Sequence, residues 1–436
     1  MAFTVNGTDV MSNFNTTYAS PQLKNVSGFK VNGIDLGTTA TPGVAGYTTD
    51  DPVTNDAFKT SNVSFNQLFS TSKPLVVVSD IASTTKQTVG DYIFRESIHT
   101  TWRNMIRLTI PNIPGVQIPL RILLIGGGGG GGSSASNVEG AGGGGAGTFL
   151  ELTMTLDERH DQAYFLGNCG SGGNGGGFAD HSNTYGMRGQ SGGDTTLRLA
   201  NANNETINQY LAEGGAGGGG NRNSGQAYPG ADANGYHGSN GGICGKAGRN
   251  IPGGAAGTNP YTETIDLPEE HPITNVDAAR VHAGGGSTLA EGGGGGGGAG
   301  GVGGTGGVNG GFWVFSNGHV DRSEGYGGAN GGAGYTWITG SQYAGGGPGD
   351  NRTESSHQYG NQGYNRYGHP GYGYAGAGTR RHNDRHATNG TGSGGMGSFD
   401  WWSGVHGGDG GDGRISIGIP RIFTDANHHT FTPAYL

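Results

Sequence analysis

A seven-glycine run, 126–132, directly follows the apolar stretch Ile122-Leu123-Leu124-Ile125 and so satisfies the G-x-G-x-x-G spacing with which a strand-to-helix turn cradles a pyrophosphate. That chemistry needs a helix N-terminus after the turn. Here more glycine follows, then the strand-like Phe149–Leu156, so no cofactor is expected. Gly245-Lys246-Ala247 lacks the Ser or Thr of a phosphate-binding loop. The segment Arg380-Arg381-His382-Asn383-Asp384-Arg385-His386, with His357 and His369 before it, has no His pair at a spacing tied to a helix or hairpin, and it reads as a solvated loop with no metal. Asp194, Asp350, Asp409 and Asp412 stand beside glycines as in a calcium-binding β-roll, but the nonapeptide repeat of that fold is missing. No serine or cysteine sits in a nucleophile elbow, and paired carboxylates for glycan cleavage cannot be placed from sequence. The chain is therefore expected not to be an enzyme, with no catalytic residues.

Binding chemistry is concentrated in aromatic residues. Tyr335, Trp337, Tyr343, Tyr359, Tyr364, Tyr367, Tyr372 and Tyr374 fall within 40 residues, and Phe399, Trp401 and Trp402 follow. Tyr and Trp supply large, stiff contact area at low entropic cost, and they either stack on sugar faces or bury at protein interfaces. Both roles remain open for these rings, which could also cover the glycine-rich region.

The elements that position them are set by composition. Of 98 glycines, 8 lie in residues 1–120, 90 in 121–420 and none in 421–436, while hydrophobic residues make up only 32% of 436. A large conventional core is not expected. Glycine adds no side chain to a core and loses much backbone entropy on ordering, so such a region is either disordered or packed backbone against backbone. Order is favoured, because the runs are separated by segments that alternate in polarity as strands do. Collagen is excluded by the lack of a three-residue register throughout and by only 16 prolines. A net charge of −9 with no basic block argues against nucleic acid. The N-terminus has no signal-peptide pattern and no run approaches the ~20 apolar residues of a membrane span, so neither export by the usual route nor membrane insertion is expected. Cys169 and Cys244 are too few for a disulfide framework; whether they pair is left open.

Along the chain, Phe3-Thr4-Val5-Asn6-Gly7-Thr8-Asp9-Val10 recurs as Phe29-Lys30-Val31-Asn32-Gly33-Ile34-Asp35-Leu36, each copy a hairpin signal built on an Asn-Gly turn. Such units do not fold alone, which makes residues 1–72 an attachment segment. Residues 73–120 read as a small β domain around Leu75–Val78 and Met105–Ile110. Residues 121–420 form the glycine-rich body, in which Phe149–Leu156 puts Leu150, Leu152, Met154 and Leu156 on one face and the closing strand alternates Ile415, Ile417 and Ile419. Its first and last strands, 120–125 and 414–419, are expected in one sheet, and 421–436 is a tail. The fold class is mainly β with very little helix, elongated, with a polyglycine-II-type body: left-handed three-residue helices packed side by side and bonded backbone to backbone.

The order of segments in 121–420 resembles the glycine-rich domains of phage and large-virus fibre proteins. An apolar strand runs straight into polyglycine, Leu166-Gly167-Asn168-Cys169-Gly170-Ser171-Gly172-Gly173 follows, and Gly413-Arg414-Ile415-Ser416-Ile417 closes the region. The resemblance implies a virion structural protein at the particle surface, a fibre, tail-fibre or adhesin component in which loops 178–188, 221–237 and 335–388 meet a host glycan or protein. Tyr335, Trp337, Tyr343, Tyr359, Tyr364, Tyr367, Tyr372, Tyr374, Trp401 and Trp402 are then the candidate receptor-binding residues. Residues 1–72 would contact other virion proteins, and a homo-oligomer, a trimer by preference, would share the apolar faces the repeats cannot bury alone. The alternative is a capsid-associated or cement protein that stabilises the particle without binding a receptor.

Overall fold

The structure, a computed structural model, describes residues 4–5, 8–9, 30–31, 34–35, 77–80, 85–98, 103–109, 117–134, 140–160, 162–177, 187–222, 226–227, 239, 241–242, 261–264, 273–285, 293–305, 313–314, 320–321, 330–349, 386–399 and 406–424. These residues are mainly β, 37% strand against 2% helix. Among the described residues, helix is confined to the short turns Glu158–His160 and Arg421–Thr424. Both N-terminal repeats form two-stranded antiparallel pairs, Thr4–Val5 with Thr8–Asp9 and Lys30–Val31 with Ile34–Asp35, each leaving Asn-Gly between its strands.

Two six-stranded antiparallel sheets make the body of the fold. Their strands in chain order are β1 (Val77–Asp80), β2 (Thr85–Val89), β3 (Tyr92–Ser97), β4 (Arg103–Thr109), β5 (Ile118–Ile125), β6 (Phe149–Leu156), β7 (Tyr164–Asn168), β8 (Thr195–Ala200), β9 (Thr206–Ala212), β10 (Tyr261–Thr264), β11 (Ile273–Arg280) and β12 (Arg414–Pro420). The first sheet has the order β11-β6-β5-β12-β3-β2 and the second β10-β9-β8-β7-β4-β1. As the sequence suggested, β5 and β12 are neighbours, with Arg414 opposite Ile125 and Gly418 opposite Arg121. The 73–120 strands build no sheet of their own. β3 pairs with β12 and β4 with β7, and the expected boundary at 120 falls inside β5.

Period-two patterning explains the sandwich. Ile118, Leu120, Ile122 and Leu124 of β5, the Leu150–Leu156 row of β6 and Ile415, Ile417 and Ile419 of β12 face Ile106, Leu108, Phe165, Leu197, Leu199 and Tyr210 of the second sheet. β5 reads as an unbroken apolar run because its other face is buried too. Leu123 and Ile125 join Phe94, Phe149 and Ala146 in a second cluster on the outside of the first sheet.

Cys169 lies in the inner core, 1% exposed, and its thiol donates to the Ser97 carbonyl at 3.2 Å. Burial pushes the thiol up to about 12. Because the folded value lies above the ordinary 9.0, the folded state holds this proton where the unfolded chain has lost it. The resulting stability is complete below about pH 9 and is lost as pH rises through about 12. Iodoacetamide at pH 8 is expected to label Cys169 only after unfolding, and Cys169→Ala should flatten the fall in urea midpoint above pH 9. Peptide mapping and denaturation curves check both.

Beyond the sandwich the chain continues as glycine runs. β5 leads into 126–133, β7 into 170–177 and β9 into 213–220, while 140–148, 187–194 and 406–413 lead into β6, β8 and β12. The run 126–133 is fully enclosed, and its hydrogen bonds rotate among neighbours every three residues. Gly126, Gly129 and Gly132 donate to Thr148, Gly145 and Gly142; Gly127, Gly130 and Ser133 to Gly193, Gln190 and Met187; Gly128 and Gly131 to Gly411 and Gly408, all at 2.8–3.0 Å. Its carbonyls accept in the same rotation: Gly127 and Gly130 from Gly215 and Gly218, Gly128 and Gly131 from Gly173 and Gly176, and Gly129 from Gly395, each at 2.8 Å.

The surrounding runs bond to one another in a closed ring of 140–148, 213–220, 187–194, 170–177, 406–413 and 391–397. Runs 140–148 and 293–298 are enclosed in the same manner, by neighbours that include 239, 241–242, 283–285, 301–305, 330–334 and 344–349. No side chain fits along 126–132, though Ala141 and Ala146 are accommodated in 140–148. A Cβ on any glycine from 126 to 132 would stand 1.9–2.1 Å from a backbone carbonyl oxygen of an adjoining run.

Candidate functional site

The sandwich stands at one end of the array and so defines the other. Runs 126–133, 170–177, 213–220, 344–349 and 391–397 leave the sandwich side, and runs 140–148, 187–194, 293–298, 330–334 and 406–413 return to it. The residues flanking 135–139, 178–186, 286–292, 306–329 and 400–405 therefore all stand at the far end, called distal below, as does Gly349 before 350–385, while His386 after it lies beside Asp409, midway along 406–413.

Two devices hold that end. Ser133–Ser134 pairs in parallel with Ser398–Phe399 and, through Ser134, with Asn221–Arg222, which pairs in turn with Gln226–Ala227. The buried Ser133 hydroxyl accepts the Met187 N–H at 2.9 Å and lies 3.1 Å from the Gly177 carbonyl, as donor. One side chain thus closes the neck of segment 178–186. A serine ending a glycine run is the only signal of this in the sequence.

The aromatic candidates divide. Tyr335–Thr336 and Gln342–Tyr343 form a hairpin on the outside of the first sheet, at the sandwich side of the array and away from the distal end. Trp337 is 3% exposed and Tyr343 4%, and Tyr335 is half-buried. Trp337 meets Phe94 edge-on at 4.9 Å and Tyr335 meets Phe149 at 5.1 Å. Arg280 lies over the Tyr335 ring at 4.0 Å and Arg414 over Tyr343 at 5.2 Å. The faces of these three rings are taken up by sheet residues and guanidinium groups, and they cover an apolar sheet face; for the buried Trp337 and Tyr343 this corrects the expectation of receptor contact. Tyr359, Tyr364, Tyr367, Tyr372, Tyr374, Trp401 and Trp402 lie outside the described residues. So do most of the proposed loops 178–188, 221–237 and 335–388, as well as Cys244, Asp350, His357, His369 and His382.

Two carboxylates meet beside the hairpin. Burial holds Glu151 above the ordinary carboxylate range and Asp277 pushes the same way, against Trp337, Arg121 and Arg280. Asp277 itself accepts a hydrogen bond from the Thr153 hydroxyl. At the far end of the sandwich, burial would raise Asp157, but hydrogen bonds from Arg159 outweigh it and leave the carboxyl below the usual range.

The aspartates read as calcium candidates have another partner. Asp412 accepts the Gly172 N–H at 2.8 Å, Asp409 the Gly175 N–H at 2.7 Å and Asp194 the Gly214 N–H at 2.9 Å. Their three-residue spacing in His406-Gly407-Gly408-Asp409-Gly410-Gly411-Asp412 was legible, but its meaning was not. Among the described residues no group of three or more His, Cys, Asp or Glu side chains is arranged to hold a metal ion. Nor, among them, is any helix long and apolar enough to cross a membrane. Compared with known proteins, the chain matches no family model and no curated protein significantly.

Proposed function

We propose that this chain is a virion structural protein, a surface fibre or adhesin component whose polyglycine-II-type, elongated body presents loops to a host glycan or protein, and that it is not an enzyme. The observation that carries this reading is directional. Chains rotate their backbone hydrogen bonds every third residue, as left-handed glycine helices do, and the residues flanking 135–139, 178–186, 286–292, 306–329 and 400–405 stand together at one end of the array. A rigid array bonded through its backbone tolerates any sequence in those segments, which suits a scaffold for variable contacts. Residues 1–72 join the chain to other virion proteins, and a trimer is the assembly to test by light scattering.

With Tyr335, Trp337 and Tyr343 assigned to packing, the receptor contacts reduce to Tyr359, Tyr364, Tyr367, Tyr372, Tyr374, Trp401 and Trp402. Replacing Tyr359, Tyr364, Tyr367 and Tyr372 together with alanine is expected to abolish host attachment while particle yield and the unfolding midpoint stay unchanged. Intact attachment with failed particle assembly would reject the adhesin reading in favour of a capsid-associated or cement protein.

A further inference from the structure

Each edge of a hydrogen-bonded array is a template for another chain, as the edge of a β-sheet is. The hazard is greater for glycine runs, because without side chains nothing specifies register or partner. Run 170–177 is such an edge. It adjoins 126–133, 187–194 and 406–413, and Ser171 and Asn174 on it are exposed. Its carbonyls at Gly170, Gly173 and Gly176 take the N–H groups of Gly413, Gly410 and Gly407, so the contact with 406–413 is already complete through the backbone. Two donor rows remain, Ser171 with Asn174 and Gly172 with Gly175, and the second corresponds to a row that in the enclosed run 126–133 is met by the carbonyls of a further chain.

Side chains meet that row here. Asp412 and Asp409, three residues apart on 406–413, place one carboxylate oxygen each on Gly172 and Gly175 at 2.8 and 2.7 Å. At a separate edge, between 187–194 and 213–220, Asp194 does the same for Gly214 at 2.9 Å. One residue type performs one task at three places. We infer that Asp194, Asp409 and Asp412 stand in for absent chains and end the array, keeping a glycine run of a second copy of this protein from adding at these edges. Both parts of the device matter: the acceptor uses up the donor row, and the side chain fills the space an incoming backbone needs. The inference rests on the hydrogen-bond array and not on the virion reading, so either can fail alone. Any homo-oligomer is then assembled through other surfaces.

Amide hydrogen exchange on the unmodified full chain is the first test. Gly172, Gly175 and Gly214 are expected to be protected although Gly172 and Gly175 are partly exposed; exchange at the rate of free amides would overturn the inference. In Asp409→Ala/Asp412→Ala, exchange at Gly172 and Gly175 should rise about tenfold, and sedimentation velocity should show association that grows with concentration. Asp409→Asn/Asp412→Asn keeps an oxygen acceptor in each place and should sediment as the parent does. Association of the Asn variant as well, or none in the Ala variant, would refute the capping role. Asp194→Ala repeats the test at the second edge with a single substitution, should the double variant not fold.

Discussion

Gly129→Ala is expected to leave the protein largely unfolded, at a cost above about 4 kcal/mol, a loss reserved for a few severe mechanisms. Gly129 lies in the middle of the enclosed run, donating to Gly145 and accepting from Gly395, both at 2.8 Å. An added methyl would stand 2.1 Å from the Ala216 carbonyl oxygen and 2.4 Å from its carbon. Both are backbone atoms, so no side chain can rotate away. Relief requires moving run 213–220, which is bonded to 126–133, 140–148 and 187–194 at once. Typical domains are stable by only about 5–15 kcal/mol, so little would remain. Gly90→Ala is the control. Gly90 sits between β2 and β3 at φ +56° with nothing within 4 Å of where a methyl would stand, and only the left-handed backbone penalises it, by about 1 kcal/mol. Urea midpoints that fall equally in the two variants would show that the array tolerates side chains and that its packing is not as described.

Arg414→Ala should cost about 3–5 kcal/mol, the usual loss when one partner of a buried ion pair is removed. Its guanidinium donates to Glu96 at 2.6 Å and to the Gly390 carbonyl at 2.7 Å, and it lies over the Tyr343 ring. The two side chains are 18% and 10% exposed. Arg414 stands where run 406–413 becomes β12, so it ties that strand to β3, to the turn before 391–397 and to the hairpin covering the first sheet. Without it the Glu96 carboxylate loses its charged partner and is left with the Ser416 hydroxyl, at 3.3 Å. Arg414→Met combined with Glu96→Gln removes the stranded charge and is expected to cost far less than Arg414→Ala alone. Equal losses in the single and double variants, measured by chemical denaturation, would show that the pairing is not what stabilises this junction.

Much of the sandwich was legible because its code is local. Strict alternation along Phe149–Leu156 and Arg414–Pro420 marks one buried face, and the unbroken run in β5 marks two. The N-terminal Asn-Gly hairpins followed from turn chemistry in the same way. Less was legible where glycine is sparse. The contributions of 239, 241–242, 283–285 and 344–349 to the array were missed, because a short run between polar residues looks like a loop until its backbone partners are known.

By itself, then, the sequence determined a β protein with little helix, a glycine-rich stretch from 121 to 420, and the inward faces of its strands, all properties carried by side-chain period or by the absence of side chains. Tertiary structure alone decided which run lies beside which. Glycine runs are chemically alike, so their neighbours are dictated by the sandwich strands they continue: β6-β5-β12 in one sheet sets 140–148, 126–133 and 406–413 side by side, and β9-β8-β7 sets 213–220, 187–194 and 170–177 against them. It also decided that Trp337 and Tyr343 are core and not surface, with half-buried Tyr335 packed against them, because a ring is suited to either and only the apolar face of Phe94, Leu123, Ile125 and Phe149 opposite them settles which.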